Sequence, residues 1–223
     1  YWSVPASHQT AEWGQWVPAP GEDLFSRLIA TWEGPWRQFA DGRRILPIVA
    51  EDLGHITPDV IALRRKLGFP GMAVLQFAFG ASMVDAFLPD RVAVDTVMYS
   101  GTHDNDTSLG WFTHEVLPLP QLQERLRRYC AAKPETISWD MIRLAFESRS
   151  EIAVVPLQDV LGLGSEARMN IPGTPDNNWR WRFSFSSLTE KHAEQLARIS
   201  EATGRNSENA FLSADSRVSA SNS

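Results

Sequence analysis

The chain has one cysteine, no long apolar run and no excess of basic residues. The single cysteine, Cys130, excludes an internal disulfide and any zinc site built from several cysteines. No apolar stretch reaches the roughly 18 residues of a membrane-spanning helix, and no secretory signal pattern is present. With 21 Lys and Arg against 27 Asp and Glu, the net charge is −6. We therefore expect a cytoplasmic protein that binds neither nucleic acid nor membrane.

The chain does have enough apolar residues for a folded core, since 43% of its 223 residues are hydrophobic. Apolar, strand-like runs alternate with helix-like stretches. The four runs are residues 45–50, 72–79, 96–100 and 152–157. Nearly continuous apolar runs are typical of strands buried on both faces, and their alternation with helices predicts a parallel sheet. Four such units are half the number that closes an eight-stranded barrel.

Helix start and stop signals separate these runs. Thr57 and Pro58 predict a helix start, and Gly68 predicts its end. Further helices are predicted near 121–131 and 137–148, and a last one over 187–203 with Ser187 as its cap.

Polar residues follow three of the four apolar runs at the point where each is predicted to end. They are Glu51-Asp52, His103-Asp104 and Gln158-Asp159. Because parallel strands place their carboxyl ends at one edge, these side chains are expected to converge. Two carboxylates beside a histidine suit glycosyl transfer, which needs a proton donor and a carboxylate near the developing positive charge.

Other interpretations of the same residues stay open. Glu51-Asp52 is equally typical of a pair that ends a strand and caps a helix, and the oxygen-rich segment 103–106 is also typical of a tight turn or a metal site. The nine tryptophans are more often core residues than sugar platforms. The best candidates for exposed sugar platforms are Trp2, Trp13 and Trp16.

Four ordered stretches resemble the amylomaltase or disproportionating-enzyme family of 4-α-glucanotransferases, a branch of the α-amylase clan. The resemblance covers residues 1 to about 205. The stretches begin at Tyr1-Trp2-Ser3-Val4-Pro5, Val49-Ala50-Glu51-Asp52-Leu53-Gly54, Gly101-Thr102-His103-Asp104-Asn105-Asp106-Thr107 and Pro156-Leu157-Gln158-Asp159, and Asn178-Trp179-Arg180-Trp181-Arg182 closes the last of them.

The resemblance implies a function and a role for each matching residue. Glu51 is implied to be the general acid/base, and Asp104 the carboxylate that binds sugar hydroxyls and stabilises the transition state. His103 and Asn170 are implied to bind the glucan. The partners would be an α-1,4-glucan donor and a sugar acceptor, with no metal or organic cofactor. The pattern does not indicate an oligomeric state.

One part of the family's pattern is missing. Its nucleophile is an aspartate in an Arg-x-Asp-His-like segment just upstream of the Tyr-Trp segment, and no such segment occurs here. We therefore expect residues 1–205 to be the C-terminal half of a (β/α)8 barrel, strands 5 to 8, inactive alone. Residues 206–223 are expected to be a flexible tail. The alternatives are an α-glucan hydrolase of the same clan and a non-catalytic truncated remnant.

Overall fold

The computed structural model describes residues 2–8, 10–38, 42–54 and 56–205, so the tail predicted at 206–223 lies outside the described residues. The described residues fall into two compact units. The N-terminal unit comprises those within 1–48 and 55–69. The sheet unit comprises those within 49–54 and from 70 onward.

The N-terminal unit contains two small antiparallel hairpins and two helices. Strand β1 pairs with β2, and β3 pairs with β4. The bounds are β1 Trp2–Ser3, β2 Gln15–Trp16, α1 Glu22–Thr31, β3 Arg37–Gln38, β4 Arg44–Ile45 and α2 Pro58–Leu67.

Helix α2 confirms the start and stop signals predicted for it. Thr57 occupies the cap position and Pro58 the first helical position, where its missing N–H is not needed. Gly68 adopts a left-handed conformation with φ of 71°, and its N–H bonds to helix carbonyls. A glycine is favoured there because a Cβ would be strained at positive φ.

The first apolar run was predicted to be a parallel strand, and that prediction is wrong. Only Ile45 lies in a strand, β4, which is antiparallel to β3. Residues 46–50 form no strand. Pro47 has no N–H to donate to a neighbouring strand, and the N–H of Ile48 bonds back to Leu46 O at 2.8 Å instead.

The sheet unit contains a three-stranded parallel sheet in the order β5-β6-β7, which confirms the parallel sheet for three of the four predicted runs. Val74 pairs with Tyr99, and Tyr99 pairs with Val154, so the carboxyl ends of the strands are level. The strand bounds are β5 Gly71–Val74, β6 Thr96–Tyr99 and β7 Ile152–Val154.

Two predicted strands are shorter than their apolar runs because each run continues as a helix. The run at 72–79 changes at Leu75 into helix α3, Leu75–Phe79, which buries Leu75, Ala78 and Phe79 at helical spacing. The last run ends at Val154, and helix α7 spans Leu157–Val160. An unbroken apolar run has no periodicity that separates a buried strand from a buried helix.

The helices of the sheet unit enclose its core. Their bounds are α3 Leu75–Phe79, α4 Ser108–Trp111, α5 Pro120–Arg127, α6 Ile137–Glu147, α7 Leu157–Val160 and α8 Glu190–Ala202, with a π-helical turn at Phe112–Val116. The core joins residues of β5 and β6 to α3, α4, α5 and α6. None of the helices within the described ranges is long and apolar enough to cross a membrane.

Helix α8 begins two residues later than predicted. Its cap is Thr189, not Ser187, and its partner at the third helical position is His192, whose ring lies 3.1 Å from the Thr189 backbone nitrogen.

Just beyond α8, the guanidinium of Arg205 donates to four backbone carbonyls of the sheet unit, those of Phe146, Ser148, Ser150 and Glu151. These bonds fasten the end of α8 to the turn between α6 and β7.

Candidate active site

A cavity of about 760 Å³ lies at the carboxyl ends of β6 and β7 in the sheet unit. Its lining includes Tyr99 and Val154, the last residues of those two strands. Glu51, His103 and Asp104 also line it. The structure therefore brings together three of the four predicted site residues, from two separate loops, at the predicted edge of the sheet.

The loop that carries His103 and Asp104 is a hydrogen-bonded turn. The side-chain oxygen of Asn105 accepts from the N–H of Thr102 at 2.9 Å and from its hydroxyl at 2.8 Å. The amide of Gln76 donates to Asp106 O at 2.8 Å and so secures the far end of the loop. The interpretation of this segment as a turn is thus confirmed. A turn of this kind also presents Asp104 to the cavity.

Asp104 is oriented by Asn170 and His103, the two residues that the resemblance implied to bind the glucan. Asn170 Nδ2 donates to Asp104 Oδ1 at 2.6 Å, and His103 Nε2 lies 3.3 Å from the same oxygen. Both His103 and Asp104 expose about half of their side chains, 56% and 49%, so they remain accessible to a ligand. Asn170 does not line the cavity directly; its contact with the cavity is through Asp104.

Arg168 is a site residue whose role sequence reasoning missed. Its Nη2 donates to Asp104 O at 2.7 Å, and its Nε donates to Asn170 O at 2.9 Å. The guanidinium therefore connects the loop after β6 to the segment that carries Asn170. No local pattern signals this role, because both acceptors are backbone carbonyls, one of them 64 residues away.

Glu51 is exposed to the cavity, and its Oε1 accepts from the N–H of Leu53 at 2.7 Å. The adjacent Asp52 faces the sheet, where its Oδ1 accepts from the N–H of Met72 at 2.7 Å. Neither carboxylate caps helix α2, whose cap position is Thr57. The two neighbouring carboxylates thus occupy different environments.

Trp179 is the second site residue that pattern reasoning missed. Its ring lies 5.1 Å from the ring of His103 at an angle of 37°, and it lines the cavity. Its backbone has φ of 63°, a left-handed conformation that costs a non-glycine residue roughly 1–2 kcal/mol. The N–H of Trp179 donates to Met169 O at 2.7 Å and stabilises this conformation. Backbone strain of this kind often marks a functional site.

The third predicted strand-end carboxylate, Asp159, does not face the cavity. It lies in helix α7 with no exposed surface and accepts bonds from Ser100 Oγ, Ser108 N and Ser108 Oγ at 2.7–2.8 Å. Burial raises the pKa of Asp159 above its usual range, although the three hydrogen bonds act in the opposite direction. Asp159 is therefore a structural carboxylate that joins β6, α4 and α7.

The alternative of a metal site in the oxygen-rich segment has no geometric support. Within the part of the chain that the structure describes, no three His, Cys, Asp or Glu side chains cluster closely enough to hold an ion. Asp106, which has the most enclosed carboxylate of the segment, instead accepts from Thr107 N at 2.8 Å and from Ser165 Oγ at 2.6 Å.

The other predicted ligand contacts were the tryptophans of the N-terminal unit. Trp2, Trp13 and Trp16 are all exposed, and the rings of Trp2 and Trp16 meet edge to face at 5.4 Å. They are therefore surface residues and not core, and their role as sugar platforms stays a prediction.

Comparisons with known proteins all identify the same family. The sequence model of the 4-alpha-glucanotransferase family matches residues 1–189. The chain is 44% identical over 213 residues to a 4-alpha-glucanotransferase of Thermus thermophilus, and 45% identical over 208 residues to one of Synechocystis. Each alignment covers 92% of this chain but only 40% and 38% of the relative.

A solved structure is similar in fold and sequence. The amylomaltase of Streptococcus agalactiae, determined in complex with acarbose, superimposes with a TM-score of 0.77 and 31% identity. The match covers 92% of this chain and 39% of that protein. The chain thus spans about two fifths of the length of the relatives it matches.

Proposed function

Because the chain belongs to the 4-alpha-glucanotransferase family, we propose that the protein containing it transfers α-1,4-glucan segments between maltooligosaccharides or starch chains. One observation carries the assignment of roles within the chain. Glu51 comes from the segment before β5 and Asp104 from the loop after β6, yet both carboxylates line one cavity. Retaining glycosyl transfer requires an acid/base carboxyl group and a nucleophile. A further carboxylate such as Asp104 can stabilise the positive charge that develops in the transition state.

In the first step of the proposed reaction, the nucleophile forms a bond to the anomeric carbon of the donor glucan. The bond from that carbon to the glycosidic oxygen breaks, and Glu51 gives its proton to the departing oxygen. Asp104 binds sugar hydroxyls beside the developing positive charge. Its orientation by Asn170 is set before the substrate arrives, which reduces the reorganisation needed in the transition state.

In the second step, ionised Glu51 takes the proton from the 4-hydroxyl of an acceptor sugar. The acceptor oxygen then bonds to the anomeric carbon as the bond to the nucleophile breaks, so the donor segment is transferred with retained configuration. His103 is proposed to donate a hydrogen bond to the glucan, because it lies beside Asp104 at the cavity wall.

We further propose that residues 1–205 form the C-terminal half of a (β/α)8 barrel, to which the described residues contribute the three parallel strands β5, β6 and β7. The level carboxyl ends of the parallel strands, the cavity at that edge and the match to 39% of an amylomaltase support this architecture. The nucleophile would then come from a part of the longer protein outside residues 1–223. The chain produced alone is accordingly expected to be inactive.

The test is Glu51→Gln in the full-length protein, with Glu124→Gln as the matched control on the exposed face of α5. We expect Glu51→Gln to lower maltotriose disproportionation by on the order of a hundred- to ten-thousandfold while binding persists, because only proton transfer is lost. Near-normal transfer by Glu51→Gln would contradict the proposal. Ladders of longer and shorter glucans indicate a transferase, whereas free sugars alone would indicate the rival hydrolase.

A further inference from the structure

The proposed acid/base residue lies on a short segment next to strand β5. Residues 49–54 belong to the sheet unit, whereas the chain immediately before and after them belongs to the N-terminal unit. Glu51 itself is exposed, and its side chain accepts a local hydrogen bond from the N–H of Leu53. Its placement in the cavity therefore depends on how this segment is attached to β5.

Two hydrogen bonds between described residues join the segment to the start of β5. Ala50 N–H donates to Pro70 O at 2.9 Å, and Met72 N–H donates to Asp52 Oδ1 at 2.7 Å. The N–H of Gly71 donates toward β6, to Asp95 O at 3.0 Å. Successive N–H groups of a strand point to opposite sides, so that of Met72 points to the outer edge of the sheet. Asp52 thus accepts the bond that a neighbouring strand's carbonyl would otherwise accept.

Because Gly71 in β5 has no side chain, it leaves the space that the Asp52 carboxylate occupies. A Cβ added to Gly71 would overlap the carboxylate of Asp52, with Oδ1 at 2.7 Å and Oδ2 still nearer. Real Cβ atoms do not approach oxygen so closely, so a side chain at 71 would require the Asp52 carboxylate to shift from this position. The observed position of the Asp52 carboxylate therefore depends on glycine at position 71.

We propose that Asp52 is a positioning residue for the acid/base Glu51, and that Gly71 makes this role possible. The inference rests on the proposed function of Glu51. Because Asp52 is held against the strand, its neighbour Glu51 is directed into the cavity. The bond to Met72 requires an acceptor oxygen at Oδ1, which an asparagine also supplies.

The first test compares Asp52→Ala, Gly71→Ala and Asp52→Asn in the full-length protein. We expect Asp52→Ala and Gly71→Ala to lower kcat for maltotriose disproportionation about 10- to 100-fold, with KM within threefold, because substrate binding does not depend on the proton donor. Asp52→Asn is expected to stay within about fivefold of wild type. Since the two damaging variants lie on different segments, either one tests the proposal if the other fails to fold.

A second readout separates positioning from a merely structural role. With α-maltosyl fluoride as donor, the carbon–fluorine bond breaks as the nucleophile bonds to carbon, and fluoride leaves with the electron pair without needing a proton from Glu51. The burst of fluoride release, scaled to the folded fraction, should therefore stay within threefold in Asp52→Ala and Gly71→Ala. Equal losses with both donors would overturn the proposal, and so would normal maltotriose transfer.

Glu51→Gln in the same two assays distinguishes this inference from the function it rests on. If Glu51→Gln loses maltotriose transfer but keeps the fluoride burst, Glu51 is the proton donor. If Asp52→Ala then transfers maltotriose at the normal rate, only the positioning role of Asp52 is wrong. If Glu51→Gln transfers normally from maltotriose, the proposed function itself fails.

Discussion

The two units of the chain differ in how much of their apolar surface is buried. The sheet unit has a continuous core built on Phe79, Trp111 and Phe112. Among the described residues of the N-terminal unit, only Leu46 and Phe69 are buried, and Trp13 and Trp16 expose 66% and 58% of their surface. The number of apolar residues in a unit therefore does not by itself indicate how stable the unit is. What stabilises a fold is apolar area removed from water, and most of that lies in the unit that carries the cavity.

Replacing one buried and one exposed tryptophan tests this comparison most directly. Trp111→Ala should destabilise the sheet unit by about 4 kcal/mol, because it leaves a large cavity in a packed core. Trp13→Ala should change stability by about 0.5 kcal/mol or less. Residue-resolved hydrogen exchange of the full-length protein gives both values. Equal losses of protection in the two variants would show that the units do not differ as described.

The second test addresses polar groups that hold the sheet unit together. Asp159→Ala should cost about 3 kcal/mol, because the buried N–H of Ser108 and two hydroxyls lose their acceptor. Asp159→Asn is the matched control, since the amide oxygen can still accept from Ser108 N while the hydroxyls reverse their roles. A loss in Asp159→Asn as large as in Asp159→Ala would contradict this account.

Wild type and Asp159→Asn are also expected to differ in how their stability depends on pH. The pKa of Asp159 is raised in the folded state, so the fold holds this proton more tightly than the unfolded chain does. Its contribution to stability is fully present below the unfolded pKa of about 4 and is lost as pH rises through the folded pKa. Wild type should therefore gain stability relative to Asp159→Asn as the pH is lowered from 7 toward 4 in urea unfolding. An unchanged difference would argue against the raised pKa.

The smallest effect concerns the cysteine of the sheet unit. Burial raises the pKa of Cys130 to about 11, so little reactive thiolate exists near neutral pH. Iodoacetamide should modify Cys130 many-fold more slowly than a free thiol at pH 8, with the rate rising steeply toward pH 11. Because Cys130 packs against the core, its protection in mild urea also reports the stability of the sheet unit. Rapid modification at pH 7 would contradict the burial.

The sequence predicted features that local chemistry determines. The ends of α2 follow from Thr57, Pro58 and Gly68 because caps act over a few residues. Strand β6 and the placement of His103 and Asp104 after it follow from a short apolar run that ends in polar residues, whereas Glu51 reaches the same cavity from residues 46–54, which form no strand.

What could not be predicted depends on contacts distant in the chain. The change from strand to helix at Leu75 leaves no mark in an apolar run, and Asp159 resembles a strand-end site residue until its partners Ser100 and Ser108 are known. The left-handed backbone of Trp179 likewise depends on Met169, ten residues earlier, and not on any preference of tryptophan.

The guanidinium of Arg205 has a mechanical consequence. It donates to the carbonyls of Phe146, Ser148, Ser150 and Glu151, and Arg205 lies three residues after Ala202, the last residue of α8. A pulling force applied to the backbone after Arg205 reaches this fork before it reaches the hydrogen bonds of the helix. Four bonds from one rigid, planar group would share that load. We therefore expect the Arg205 side chain to delay unwinding of α8 from its C-terminal end under load.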